Sequence, residues 1–197
     1  MRKLLISSAL ILSAGMAAAQ APQATDGPGP NMVIEVAGAD GTAKGTITLD
    51  LLADKAPNHV ARLVELAKAG AYDGVVFHRV IEGFMAQTGD VENGKHDGAS
   101  TAMAGMGGSD LPDLEAEFNA VSFGAGTVGM ARSQDPNSAN SQFFIDLAPA
   151  TFLDGQYTVV GQLIDGWDVL NAIKKGDANA NGAVEEPDYM SRVTIVE

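Results

Sequence analysis

The sequence predicts a mainly β fold: a closed eight-stranded antiparallel barrel capped by two α-helices. Pattern counting finds about eight short strand-like runs, and two further segments carry the 3.6-residue apolar period of a helix. A strand-rich chain of this kind removes its exposed sheet edges by closing. At 197 residues the chain can bury the core of one domain without covalent staples.

The strands follow in order. Met32–Val36 is short and rich in β-branched residues, and Thr46–Leu51 alternates polar with apolar as a half-buried strand does. Val75–Ile81 and Phe84–Thr88 are joined by Glu82-Gly83, a hairpin turn pattern. Thr127–Arg132, Gln142–Leu147, Thr158–Ile164 and Arg192–Val196 complete the set. The first helix places Val60, Leu63, Val64 and Ala67 on one face, with Pro57 at its start and Gly70 at its end. The second covers Trp167–Lys175, with Val169, Leu170 and Ile173 apolar. Lys174 and Lys175 suit the negative end of its dipole, and Gly176 suits a left-handed cap.

The N-terminus has the pattern of a secretory signal peptide: Arg2-Lys3, an apolar run from Leu4 to Leu12, then Ala17-Ala18-Ala19 before the expected cleavage site. The run is too short to span a bilayer, so no membrane insertion is expected after cleavage. Residues 20–30, with Pro and Gly but little to bury, read as a flexible leader, and residues 31–197 as the folded domain. Loss of Arg2 and Lys3 lowers the basic count from 12 to 10 against 25 acids, so the formal charge of −13 becomes −15. Such a surface repels nucleic acid and anionic lipid, and neither is expected as a partner. Without cysteine there is no disulfide, thiol nucleophile or thiolate metal site.

Three blocks carry the chemistry. The first runs from Phe77-His78-Arg79 through Gly83-Phe84-Met85-Ala86-Gln87 to Asp90, and sets a cation inside an apolar strand pair. Strand alternation puts Met85 and Gln87 on one face. From spacing alone, Arg79 could equally pair with an acid such as Glu82. The second block is Gly129-Met130-Ala131-Arg132 followed by Asn137 to Ile145, and the third is Phe152-Leu153-Asp154-Gly155-Gln156-Tyr157 to Gly161. In this order the blocks resemble the cyclophilin family of peptidyl-prolyl cis–trans isomerases. The likeness extends to Ala56-Pro57-Asn58, Tyr72-Asp73-Gly74, Gly105–Gly108 and Glu117-Phe118, and covers residues 31–197.

The resemblance implies a barrel that binds proline-containing polypeptides across its outer surface, over an apolar pocket, without a metal or cofactor. Arg79 and Gln87 fall on catalytic positions. Phe84, Met85, Ala131, Arg132, Gln142, Phe144, Phe152, Leu153 and Tyr157 fall on substrate-binding positions. Three of these depart from the better-known eukaryotic pattern: Arg132 stands where asparagine is usual, Tyr157 where histidine is, and Phe152 where tryptophan is. The last two are similar to periplasmic bacterial members. Loss of the indole donor at 152 implies weak cyclosporin binding. The function expected is isomerisation of X-Pro bonds in exported, folding chains by a periplasmic monomer, with Arg79 stabilising the twisted amide. A holdase that grips Pro-containing segments and a lipocalin-like carrier of apolar ligands are the competing functions.

Other features read as structural. His59, His78 and His96 are too scattered for a metal site, and His78 reads as a hydrogen-bonded, partly buried residue, not a base. Gly105–Gly108 lacks the Lys-Ser/Thr ending of a phosphate loop and reads as a loop flanking the substrate groove. Asp177–Asp188 fits half of a calcium loop, but no second helix follows, so it reads as a polar surface loop.

Overall fold

The computed structural model describes residues 24–96 and 101–197. The segment read as a signal peptide, residues 1–19, lies outside the described residues. Within the segment read as leader, the Gly27 amide donates to the Asp50 carboxylate (3.1 Å) and the Pro30 carbonyl accepts from Leu51 N (3.0 Å).

Among the described residues, nine strands form one antiparallel sheet with two α-helices: β1 Asn31–Ala37, β2 Ala43–Leu51, α1 Pro57–Lys68, β3 Val75–Val76, β4 Arg79–Ile81, β5 Met85–Thr88, β6 Thr127–Met130, β7 Phe143–Asp146, β8 Val159–Asp165, α2 Trp167–Ala172 and β9 Tyr189–Val196. The strand order is β3-β9-β1-β2-β8-β6-β7-β5-β4. This corrects the expected closed eight-stranded barrel: the sheet is curled into a half-barrel, and among the described residues no ladder joins β3 to β4. The reason lies in the Val75–Ile81 run. Val75 and Val76 pair with β9, whereas Arg79–Ile81 pair with β5. Between them Phe77 N donates instead to the Asp188 carbonyl (2.8 Å). One predicted strand thus becomes both ends of the sheet, two residues apart in the chain.

Register sorts the side chains. Val80, Ala86, Ile145 and Val128 are directly paired across β4, β5, β7 and β6, and all are buried in the main core. Their neighbours point the other way, so Arg79, Gln87, Phe144 and Gly129 form a second row on the outer face. Ile81, Met85 and Asp146 form a third, one step further along.

Helix α1 keeps its predicted face, with Val60, Leu63 and Ala67 buried, and ends at Gly70 (φ +69°). Its N-cap, Ala56, has no side chain to offer the first free amides. Glu117 supplies what is missing from 59 residues away. It accepts from Asn58 N (3.1 Å) and His59 N (3.1 Å), and also contacts the buried His59 ring at Nδ1 (2.7 Å). A carboxylate there also complements the positive end of the helix dipole. Helix α2 is shorter than its period suggested. Ile173 turns extended (ψ 133°) and Lys174 N is drawn to the Asp188 carboxylate (2.7 Å), so Gly176 caps nothing. Lys175 still serves the helix end: its Nζ donates to the carbonyls of Asn171 (2.6 Å) and Ile173 (2.8 Å).

Burial pushes the Glu117 pKa up, but hydrogen bonds from His59 and Asn58 outweigh it and hold the group below its ordinary value. A depressed folded pKa contributes stability that is present above the unfolded value of 4.5 and is lost as pH falls through the folded one. Glu117→Ala is expected to cost about 1–2 kcal/mol near neutral pH by denaturant unfolding. The gap to wild type should close on acidification; a pH-independent gap would show that the carboxylate charge contributes nothing.

Candidate active site

The outer rows of β4, β5, β6 and β7, together with the loop after β7, enclose a cleft of ≈ 290 Å³. Its floor is apolar: Met85, Phe144 and Leu153 are nearly buried and belong to a cluster separate from the main core. Phe84 and Phe152 form one rim, with ring centroids 5.5 Å apart, and Phe152 is 64% exposed. Tyr157 forms the opposite rim and meets Phe144 edge-on at 5.9 Å. Ala131, Arg132, Arg79 and Gln87 complete the lining.

Phe144 lies where it does because residue 129 has no side chain. A Cβ on Gly129 would sit 2.4 Å from Phe144 Cζ and 2.7 Å from Phe123 Cε1. The ring therefore rests on bare backbone, stacked on Phe123 at 5.8 Å. The loop that carries Phe152 and Leu153 is pinned by Asp154, which accepts from Phe123 N (2.8 Å) and Ser122 Oγ (2.7 Å).

The polar wall is a chain of hydrogen bonds. Arg79 Nη1 donates to Gln87 Oε1 (3.2 Å), Gln87 Nε2 to Gln142 Oε1 (3.0 Å), and Gln142 Nε2 to the Gly107 carbonyl (2.8 Å). The other edge of the guanidinium is held by Asn181, whose carbonyl accepts from Nε (3.0 Å) and whose Oδ1 accepts from Nη2 (3.0 Å). Among the described residues no carboxylate forms an ion pair with Arg79; Glu82, the acid raised as an alternative partner, is not bonded to it. Burial lowers the Arg79 pKa from its ordinary value, and a guanidinium stays a cation in proteins. Arg132 is engaged elsewhere: it donates to the carbonyls of Ser133 and Gln156 (both 2.8 Å) and lies over the Tyr157 ring at 4.4 Å.

Gln142 lines an adjoining cleft of ≈ 450 Å³, which shares Gln87, Ala131 and Arg132 with the first. The Gly105–Gly108 turn forms its far wall. The amides there are already committed: Gly105 N (2.7 Å) and Gly107 N (2.9 Å) donate to buried Asp90, which also accepts from Glu92 N and Asn93 N. An internal carboxylate thus takes the place a bound anion would need. Gly105 (φ +94°) lies against the His78 ring, where a Cβ would come within 2.8 Å. Burial pushes the His78 pKa down to about 4, which favours the neutral ring, and neither ring nitrogen has a hydrogen-bond partner among the described residues, against the hydrogen-bonded residue expected from the sequence. Burial likewise pushes Asp146, 0% exposed beside Met85, up to about 8, so it keeps its proton at neutral pH.

A family model, cyclophilin type peptidyl-prolyl cis-trans isomerase/CLD, matches residues 33–195. The chain belongs to the cyclophilin family. A cyclophilin relative named probable peptidyl-prolyl cis-trans isomerase, from Brucella suis, is 57% identical over 152 residues, 77% of this chain and 78% of its own length. Peptidyl-prolyl cis-trans isomerase-like 1 of Rhizopus delemar is 40% identical over 140 residues, 70% and 81% of the two chains. The crystal structure of cyclophilin AquaCyp293 from Hirschia baltica superposes with a TM-score of 0.68 at 26% identity, covering 86% of this chain and 74% of that one. The enzyme class is therefore peptidyl-prolyl cis–trans isomerase.

Ten of the eleven residues expected at a cyclophilin site line one cleft, and Gln142 reaches it through Gln87. Asn181 and Asp90 escaped the sequence reading. Asn181 sits in the segment weighed as half a calcium loop. The acids that end that segment have partners within the fold: Asp177 accepts from Asn179 N (2.8 Å), and Asp188 from Lys44 (2.5 Å). The Asn181-Gly182 pair, a turn signal, was the available clue.

Proposed function

We propose that this cyclophilin isomerises X-Pro bonds of exported polypeptides, with Arg79 as the group that lowers the barrier. The observation that carries the reading is a cation held by neutral partners, the oxygens of Asn181 and Gln87 and the thioether of Met85 (3.8 Å), at the edge of an apolar floor sized for a small ring. Proline would seat its ring on Met85, Phe144 and Leu153, for about 2 kcal/mol of binding. The planar amide resists rotation by about 18–20 kcal/mol because twisting breaks its resonance. At the twist the proline nitrogen becomes pyramidal and regains its lone pair. Arg79 engages four of its five N–H donors with Asn181, Gln87 and the Met85 sulfur, so one donor, on Nη2, remains to meet that lone pair. The planar substrate offers no such acceptor, so the bond favours the transition state, which is what acceleration requires. Gln87 holds Arg79 and positions the substrate carbonyl. Arg132 and Ala131 contact the chain preceding proline, and Tyr157 and Phe152 flank the ring.

A hydrogen bond to a charged donor is worth about 1.5–3 kcal/mol, or one to two decades of rate. The remaining acceleration would come from holding one side of the bond still in a preorganised field. Arg79→Ala is expected to lose about ten- to a hundredfold in turnover of a short Ala-Pro peptide, with a modest loss of binding. Equal rates would discard the role of Arg79. Cyclosporin should inhibit weakly, because Phe152 has no ring N–H to donate; nanomolar inhibition would refute this. Export rests on the N-terminal charge, apolar run and Ala17–Ala19. Cell fractionation with N-terminal sequencing should find a periplasmic chain that begins at Gln20; a cytoplasmic chain that keeps residues 1–19 would reject it.

A further inference from the structure

We propose that Asn181 is a positioning residue for the isomerisation: a neutral clamp that aims the Arg79 guanidinium without discharging it. The inference rests on the reading that Arg79 acts on the proline nitrogen. Asn181 grips one edge of the guanidinium with two oxygens, its own carbonyl on Nε and its side-chain Oδ1 on Nη2, both at 3.0 Å. Gln87 restrains Nη1 from the other side. A flexible side chain with five donors is thereby reduced to one orientation; Nη1 also meets the Met85 sulfur (3.8 Å), which leaves one Nη2–H for substrate.

The loop that presents Asn181 is built on β4 itself. Val80 N donates to the Gly182 carbonyl (2.8 Å), Gly176 N to the Val80 carbonyl (2.9 Å), and Val184 N to the His78 carbonyl (3.1 Å). Asp177 N donates to Ala183 O (3.0 Å), which closes the loop on itself. Gly182 must be glycine: its φ is +78°, and a Cβ would meet Ile81 Cγ1 at 2.4 Å. Clamp and guanidinium therefore move as one body with the strand.

Three demands converge on residue 181. Its φ of +54° is left-handed, which favours Asn, Asp or Gly. Its side chain must accept a hydrogen bond, which excludes Gly. It must carry no charge, because a carboxylate there would pair with Arg79 and compete with the developing lone pair for the same donors. Asn satisfies all three.

The test uses the full chain and four variants, N181G, N181D, R79A and the double variant R79A/N181G. Glycine removes the acceptor but keeps the left-handed backbone; aspartate keeps the acceptor and adds charge. Turnover of an Ala-Pro peptide, peptide affinity and thermal stability are measured, together with the NMR signal of the Arg79 Nε–H. N181G should lose about five- to tenfold in kcat/KM, the worth of one hydrogen bond, with affinity and melting temperature unchanged and the Nε–H signal shifted. N181D should be comparably slow while remaining folded. In the R79A background N181G should cost nothing more, since the clamp acts only through Arg79. Wild-type turnover in N181G, or an equal further loss in R79A/N181G, would overturn the proposal while leaving the role of Arg79 intact. Wild-type turnover in N181D would overturn the demand for neutrality. Wild-type turnover in R79A would instead overturn the reading on which the proposal rests.

Discussion

The row Arg79, Gln87, Phe144, Gly129, paired residue to residue across four strands, is the constraint on which the site depends. Sheet geometry alone sets cation, amide, aromatic floor and open backbone side by side on the outer face. A one-residue slip of β5 against β4 would turn Gln87 inward and Ala86 outward, dismantling floor and wall together. The row behind it, Val80, Ala86, Ile145 and Val128, resists that slip because all four are buried in the main core. Core packing and site alignment are two sides of the same ladder.

Electrostatics around the row follow one pattern. The chain carries 25 acids against 12 bases, yet no carboxylate pairs with Arg79 among the described residues. Neither buried acid nearby bonds to it. Asp90 accepts from four loop amides, and burial raises the Asp146 pKa to about 8, which favours its neutral form. The guanidinium beside an apolar floor has its donors met by neutral oxygens and a thioether, and it keeps its field because they do not neutralise it.

Much of this was legible in the residues. Strand alternation in Thr46–Leu51 and the Glu82-Gly83 turn reappear in β2 and in the β4–β5 hairpin, since local pattern and tertiary burial agree there. The three family blocks carry the residues that line the cleft. What could not be read is long-range. Val75–Ile81 looks like one strand because nothing local records that its halves pair with opposite ends of the sheet. The second helix looked three residues longer because its period continues to Ile173, while the break comes from Asp188 capturing Lys174 N. Glu117 as a helix cap, Asp90 as a loop anchor and Asn181 beside Arg79 are contacts across 58, 15 and 102 positions, beyond the reach of any local pattern.

The place of β9 has a consequence for how the molecule comes into being. This last strand lies between β1 and β3, at once bridging the start of the domain and the run that leads into Arg79. A chain emerging from N- to C-terminus holds every residue of the cleft well before it holds β9. Until then β1 and β3 have no partner to join them, and the curled sheet lacks its keystone. Among the described residues, the edge that leads into Arg79 is therefore tied to the first strand of the domain only through β9.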